Sequence, residues 1–126
     1  MSRKRKKCIG KIPAIIESEQ ISACDVDNTL IRPDPNGEIH LMYARKVQRF
    51  SVIQEHLDLI IEWSDRGHFI IVWSHSGPKW AAQVIKALNI EQYVDLIQAK
   101  PSRHMDDKTD VPSIVGSRVY IAKEVK

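Results

Sequence analysis

Two kinds of apolar segment alternate along the chain. Residues 21–26 and 68–73 are short, nearly continuous apolar runs of the kind that forms buried strands. Between them, residues 43–66 carry apolar side chains at three- and four-residue spacing, which predicts one long helix that stops at Gly67. We expect His56, beside the apolar face of this helix, at the surface or at the core boundary. That apolar face would consist of Val47, Phe50, Ile53, Leu57, Ile60 and Ile61.

The second half of the chain continues the alternation. Pro78 suits the first turn of a helix and Asn89 suits its end, with a third strand predicted over residues 93–97. Residues 111–115 predict a short helix or turn, and residues 118–122 a last strand. The buried face of the second helix would consist of Ala81, Val84, Ile85 and Leu88. Alternating strands and helices are typical of an α/β fold, and we expect a Rossmann-like three-layer sandwich with a mostly parallel central sheet.

The regions flanking the first strand are less regular. We expect residues 1–20 to form a basic tail and lead-in segment, and residues 21–126 to form a single domain. Within the lead-in, residues 8–16 suit an edge strand or a loop laid over the core. Residues 32–40 contain two prolines and an Asn-Gly pair, which predicts a loop or small β-flap with a tight hairpin turn. Because this flap follows the first strand directly, it would lie over any site at the end of that strand.

Composition narrows the class of protein. The chain has 126 residues, of which 43% are hydrophobic and 28% charged, as is ordinary for a soluble single-domain protein. No apolar run reaches the roughly 20 residues that a membrane helix needs, and no secretion signal is recognisable. The two cysteines, Cys8 and Cys24, do not suggest a disulfide framework. We therefore expect a cytoplasmic protein without a membrane partner.

The positive charge is unevenly distributed. The formal net charge is +3, and the run from Arg3 to Lys7 is entirely basic. A solvated tail is the favoured interpretation, and a weak electrostatic contact with nucleic acid is the alternative. The rest of the chain is nearly neutral, which argues against a basic nucleic-acid-binding module.

Charged and polar residues follow the predicted strands. Asp25 and Asp27 end the first strand, Ser74 follows the second, and Lys100 follows the third. Ligands of open α/β sheets bind beyond the carboxyl ends of the strands, so these residues predict one shared site. Two neighbouring carboxylates repel each other, and a divalent cation such as Mg²⁺ relieves that repulsion.

Each of these signals also has a simpler interpretation when taken alone. The two aspartates could belong to an acidic turn, Ser74 or Ser76 could cap a helix, and Lys100 could be a solvated lysine. Asp106 and Asp107 could belong to an acidic loop.

The ordered set of motifs resembles the haloacid dehalogenase (HAD) superfamily. The matching residues are Asp25-x-Asp27-x-Thr29, then Ser74, then Lys100 before Pro101, then Asp106-Asp107, and the resemblance covers about residues 20–122. One departure is Asn28, which stands where glycine is commonest in the family. Asparagine tolerates a left-handed backbone, so the turn can be kept.

The resemblance implies a role for each position. Asp25 would be the nucleophile that forms an aspartyl-phosphate, and Asp27 the general acid and base whose backbone carbonyl also binds Mg²⁺. Ser74 would hydrogen-bond the phosphoryl oxygens, and Lys100 would offset charge on the nucleophile and the phosphate. Thr29 would fix the turn through its hydroxyl, and His75 would either contact the substrate or lie exposed.

The metal site and its surroundings follow from the same resemblance. Asp106 and Asp107 would complete the Mg²⁺ site with Asp25 and Asp27, and Asp107 is favoured over Asp106 as the direct ligand. Asp110 is a further candidate ligand. Residues 32–42 and 74–100 leave no room for a large cap domain, so a small capless member with an open site is expected.

The implied activity is Mg²⁺-dependent hydrolysis of a phosphate monoester. The substrate would be a nucleotide, a sugar phosphate or a nucleic-acid end, which includes a 3′-phosphatase acting on such ends. The alternatives are a non-enzymatic binding protein that keeps the HAD fold, and a nucleic-acid-binding protein that acts through its basic tail.

Overall fold

The computed structural model of the chain describes residues 13–18, 20–105 and 119. This part folds as two small sheets and two helices. The strands are β1 Ile21–Asp25, β2 Ile31–Pro33, β3 Ile39–Tyr43, β4 Lys46–Val52, β5 Phe69–Ser74 and β6 Leu96–Ala99; the helices are α1 Gln54–Asp65 and α2 Pro78–Leu88. None of the helices in these residues is long and apolar enough to cross a membrane.

Strands β1, β5 and β6 form a parallel sheet with β5 in the centre. Asp25 pairs with Trp73, and Ser74 pairs with Ala99, so the carboxyl ends of the three strands lie nearly level. This sheet and the two helices confirm an α/β fold with a parallel sheet. The site residues at the ends of the strands are therefore brought to one edge.

The core lies on one face of β5. Ile70, Val72 and Ser74 are buried on that face, whereas the alternating residues Phe69, Ile71 and Trp73 keep partial exposure. Side chains of both helices join Ile70 and Val72 in one buried cluster, including Ile60 of α1 and Val84 of α2. Helix α2 begins at Pro78 and ends at Asn89 with a left-handed backbone, as its sequence predicts.

The predicted helix over residues 43–66 is wrong in its first half. Ala44 and Arg45 have φ angles of 55° and 67°, which reverse the chain into strand β4. β4 pairs with β2 on one side and with β3 on the other, and these backbone hydrogen bonds outweigh the helix propensity of its residues. Only residues 54–65 are helical. Val47 and Phe50 have the three-residue spacing of one helix face, but Val47 is 65% exposed and does not belong to the core.

The antiparallel sheet β2–β4–β3 is larger than the predicted flap. A turn occurs near the Asn-Gly pair, where the Gly37 N–H donates to the carbonyl of Asp34. However, β2 and β3 both pair with β4 and not with each other, so the tight hairpin turn lies instead at Ala44 and Arg45. The insertion between β1 and α1 thus spans residues 31–52 rather than residues 32–42. We call these residues the flap sheet.

The last strand of the parallel sheet and His56 both differ from the sequence predictions. The third strand of the parallel sheet is Leu96–Ala99, after a short 3₁₀ helix at Glu91–Tyr93, rather than residues 93–97. His56 is 5% exposed and is therefore buried, not at the surface. The elements predicted over residues 111–115 and 118–122 lie outside the described residues, apart from Val119, and so does the basic tail.

Candidate active site

Asp25, Ser74 and Lys100 meet at the carboxyl edge of the parallel sheet. Asp25 is the last residue of β1, Ser74 is the last residue of β5, and Lys100 follows β6 directly. The Lys100 Nζ lies 3.8 Å from the Asp25 Oδ2, and the Lys100 N–H donates to the Ser74 carbonyl at 3.1 Å. Lys100 is thus held beside a carboxylate and is not simply a solvated lysine.

The environment of Asp25 makes its carboxyl group more basic than usual. Burial has the largest effect and raises the pKa of Asp25, while Lys100 lowers it. The Val26 N–H lowers this pKa further, Asp27 raises it, and His75 lowers it, with a net increase from the usual value of 3.8. A carboxylate with a raised pKa is more basic, and therefore more nucleophilic once it is ionised, than a carboxylate at its usual pKa.

Asp27 is held by two side chains of the core. The Trp80 Nε1–H donates to the Asp27 Oδ1 at 3.0 Å, and the Ser74 hydroxyl donates to the Asp27 Oδ2 at 3.2 Å. The Ser74 hydroxyl in turn accepts a hydrogen bond from the Ser76 N–H at 3.0 Å. Since Ser74 and Trp80 are buried, the orientation of the Asp27 carboxylate is fixed by the core.

The interpretation of Ser74 or Ser76 as a helix cap is wrong. The residue that precedes α2 is Gly77, which has a φ of 104° and provides no side-chain cap. The amino end of α2 nevertheless lies next to Ser74, because Gly77 N–H donates to the Ser74 carbonyl at 3.1 Å. Helix amino ends favour anions, so an anion placed beside Ser74 would be stabilised by this end of α2.

A tight turn sets the direction of Asp27. Asn28 has a φ of 60°, which confirms that asparagine adopts the left-handed backbone expected there. The Leu30 N–H donates to the Val26 carbonyl at 2.9 Å, and the Thr29 carbonyl is bonded to the Nδ1 of His56 at 2.7 Å. The hydrogen bonds that hold this turn therefore involve backbone carbonyls, including that of Thr29. The buried His56 side chain connects the turn to α1.

A cavity of about 180 Å³ opens between Asp27 and the flap sheet. Tyr43, Gln48 and Phe50 of the flap sheet contribute to its walls. The ring centroid of Tyr43 lies 4.7 Å from that of Trp80, and the centroid of Phe50 lies 5.7 Å from it. The flap sheet is thus packed against the same tryptophan that holds Asp27.

The remaining predicted residues are placed less closely. His75 is exposed, and its charge lowers the pKa of Asp25. Asp106, Asp107 and Asp110 lie outside the described residues. Among the residues that the structure describes, no three His, Cys, Asp or Glu side chains gather as a metal site.

Trp80 and Tyr43 were missed by the sequence reasoning. Trp80 extends the buried face of α2 by one turn, and a buried indole N–H usually needs a hydrogen-bond acceptor. That requirement, applied at the amino end of a helix that follows a strand end, could have identified Trp80 as a partner of Asp27. Tyr43 gave no comparable signal, because it was assigned to a helix.

Comparisons of the chain with protein-family models, with curated proteins and with solved structures found no match.

Proposed function

We propose that this protein is a Mg²⁺-dependent phosphatase of the HAD superfamily that forms an aspartyl-phosphate on Asp25. The observation that carries the proposal is the pairing of Asp25 with Lys100, next to a second carboxylate, Asp27, that the core holds in place. A lone acidic turn would require neither the lysine nor the buried donors. A nucleophilic carboxylate needs both a cation and an adjacent acid.

In the first step, an Asp25 oxygen bonds to phosphorus as the bond from phosphorus to the leaving oxygen breaks. Protonated Asp27 gives its proton to that leaving oxygen. In this state the Asp27 Oδ1 can still accept from Trp80, while the Oδ2 carries the proton. The Ser74 hydroxyl, which is fully buried, orients Asp27, and Lys100 offsets the charge that develops on the phosphoryl oxygens.

In the second step, Asp27 is a carboxylate and takes a proton from water. The water oxygen bonds to phosphorus as the bond between phosphorus and Asp25 breaks, which releases inorganic phosphate. The proton is then on Asp27 and the Asp25 carboxylate is restored. Asp27 gives this proton to solvent when the phosphate leaves and takes up another with the next substrate, so that it is ionised in the free protein.

The oxygen donors of the site suit Mg²⁺, which prefers carboxylates and carbonyls. The half-buried Asp25 carboxylate and the Asp27 backbone carbonyl would hold the ion, together with Asp106 or Asp107. When bound, Mg²⁺ would neutralise charge on the phosphate and the nucleophile. Burial raises the pKa of Asp25 more than Lys100 lowers it, so a bound cation would further stabilise the ionised carboxylate.

The proposal includes a three-layer Rossmann-like arrangement. The described helices bury the face of β5 that carries Ile70 and Val72, while Phe69, Ile71 and Trp73 on the other face keep partial exposure. A third layer over this second face would bury those apolar side chains.

The test is hydrolysis of p-nitrophenyl phosphate by the full chain with Mg²⁺, with EDTA, and by Asp25→Asn. We expect EDTA and the substitution each to lower turnover at least about 100-fold. Asp65→Asn, an exposed aspartate at the end of α1, is the matched control and should keep full turnover. A covalent phosphate trapped by acid quench from the wild type, and absent from Asp25→Asn, would identify the intermediate.

Two outcomes would contradict the proposal. Turnover that survives Asp25→Asn would rule out the aspartyl-phosphate. Absence of turnover toward a broad panel of phosphate monoesters, with Mg²⁺ binding intact, would favour a non-enzymatic binding protein.

A further inference from the structure

We propose that the cleft between Asp27 and the flap sheet binds a nucleobase, so that the substrate is a nucleoside monophosphate. The inference rests on the proposed function, because it uses the role of Asp27 to locate the leaving group. It adds what that role does not specify, namely the chemical class of the group that leaves.

The location follows from proton transfer. If Asp27 protonates the leaving oxygen, that oxygen lies within hydrogen-bond reach of Asp27, and the rest of the leaving group extends from there. The cavity of about 180 Å³ has Asp27 in its wall, so it is the space into which the leaving group extends. Its volume is below the roughly 300–1,000 Å³ of pockets for drug-sized ligands and suits a single ring system.

The lining selects for a flat, uncharged group. Tyr43 supplies an aromatic wall and Pro33 adds apolar surface, whereas Phe50 and Ile31 lie behind them at 4% and 1% exposure. Tyr43 as a residue is 37% exposed, so it is accessible to a ligand. Aromatic side chains bind nucleobases by stacking, and this contribution is largely independent of the base.

The polar groups of the cleft also favour an uncharged ligand. The Gln48 amide lies in the wall and donates to the Tyr43 carbonyl at 2.9 Å, which also fixes the position of the tyrosine backbone. No lysine or arginine is among the residues that line the cavity in the described part of the chain. A second phosphate or a carboxylate on the leaving group would find no cation there, so sugar bisphosphates fit poorly.

The position of Tyr43 is set by the core. Its ring packs on Trp80, and its hydroxyl lies 3.3 Å from the Ser76 hydroxyl in the loop after β5. The stacking surface is therefore joined to the loop and the tryptophan that orient Asp27. A base stacked on Tyr43 would be held in a defined relation to the acid that protonates the leaving oxygen.

The first arm of the test measures binding without phosphate chemistry. Adenosine and ribose are titrated into the full chain, and the indole Nε1–H resonance of Trp80 is followed by NMR. We expect adenosine to shift this resonance and ribose not to. Tyr43→Leu should weaken adenosine binding about 5- to 150-fold, the range that base stacking supplies, whereas Tyr43→Phe keeps the ring and should bind nearly as the wild type does.

The second arm compares kcat/KM for the adenosine monophosphates with kcat/KM for ribose 5-phosphate. The wild type should favour the nucleotides by about 5- to 150-fold, mainly through KM, and Tyr43→Leu should lose that preference. Met42→Ala changes the adjacent, 54% exposed residue of β3 and is the matched control, which should keep the preference.

The outcomes separate the two proposals. Hydrolysis of all esters without a nucleotide preference, and no adenosine binding, would overturn the cleft inference and leave the phosphatase proposal in place. Tyr43-dependent adenosine binding without hydrolysis of any ester would overturn the phosphatase proposal and support a nucleobase site. Adenosine binding that is unchanged in Tyr43→Leu would overturn the assignment of this cleft.

Discussion

The hydrogen bond between Trp80 and Asp27 predicts a measurable coupling energy. Trp80 is 6% exposed, and its Nε1–H donates to the Asp27 Oδ1 at 3.0 Å. Hydrogen bonds to ionised groups contribute about 1.5–3 kcal/mol, more than bonds between neutral groups do. Trp80→Phe removes the donor but keeps an aromatic ring between Tyr43 and Phe50.

The single substitutions do not isolate this bond. Trp80→Phe also removes buried surface, and Asp27→Ala also leaves the Ser74 hydroxyl without its acceptor. A double-mutant cycle cancels these separate effects. We expect the double variant to be less destabilised than the sum of the single variants by about 1.5–3 kcal/mol, as measured by urea unfolding near pH 7.

Trp63→Phe combined with Asp27→Ala is the matched control for this cycle. Trp63 stacks on His68 just before β5, with a centroid separation of 6.0 Å. Asp27 lies at the other end of the sheet, roughly 15 Å away by the rise of β5. These two substitutions should add to within about 0.5 kcal/mol. A coupling between Trp80 and Asp27 no larger than that of the control would refute the reasoning.

Three further predictions concern Asp25 and the flap sheet. Because the pKa of Asp25 is raised from its usual value of 3.8, the fold loses stability as the pH rises from 3.8 to the raised pKa, and this loss is complete above it; Asp25→Asn should therefore raise Tm at neutral pH, and thermal melts at decreasing pH should show this gain disappear as the pH falls toward 3.8. Ala44 and Arg45 both have positive φ angles, so replacing the pair with Asn-Gly should increase the free energy of unfolding by about 1–2 kcal/mol, and an unchanged urea midpoint would contradict the assigned turn. In Gly37→Ala, the added Cβ would overlap the carbonyl oxygen of Phe50, so we expect a loss of about 1–3 kcal/mol by urea unfolding, and wild-type stability would show that these backbones do not approach so closely.

Strands β1 and β5 and helix α2 could be predicted because their signals are local. The apolar runs that became β1 and β5 are short and bounded by polar residues, and Pro78 and Asn89 mark the ends of α2. Strand ends in a parallel sheet share one edge, so Asp25, Ser74 and Lys100 could be grouped before their distances were known.

The flap sheet could not be predicted in the same way. A chance three-residue spacing of Val47, Phe50 and Ile53 continued into the true helix, and Ala44 and Arg45 are good helix formers. The turn at these two residues lacks the Asn-Gly pair that usually marks a hairpin. Pairing of β4 with two other strands decided the structure, and such pairing is not visible in a local pattern.

The sequence by itself determined which segments form β1, β5 and α2, and which charged and polar residues follow the strands. Both features depend on residues that are neighbours in the chain. Tertiary structure alone decided that Trp80 holds Asp27, that His56 is buried against the turn, and that Tyr43 lies beside the same tryptophan. These contacts join residues far apart in the sequence, and their formation depends on the packing of the flap sheet and helices around β5. The acid that we assign to catalysis is therefore oriented by the core, whereas its identity is readable from the chain.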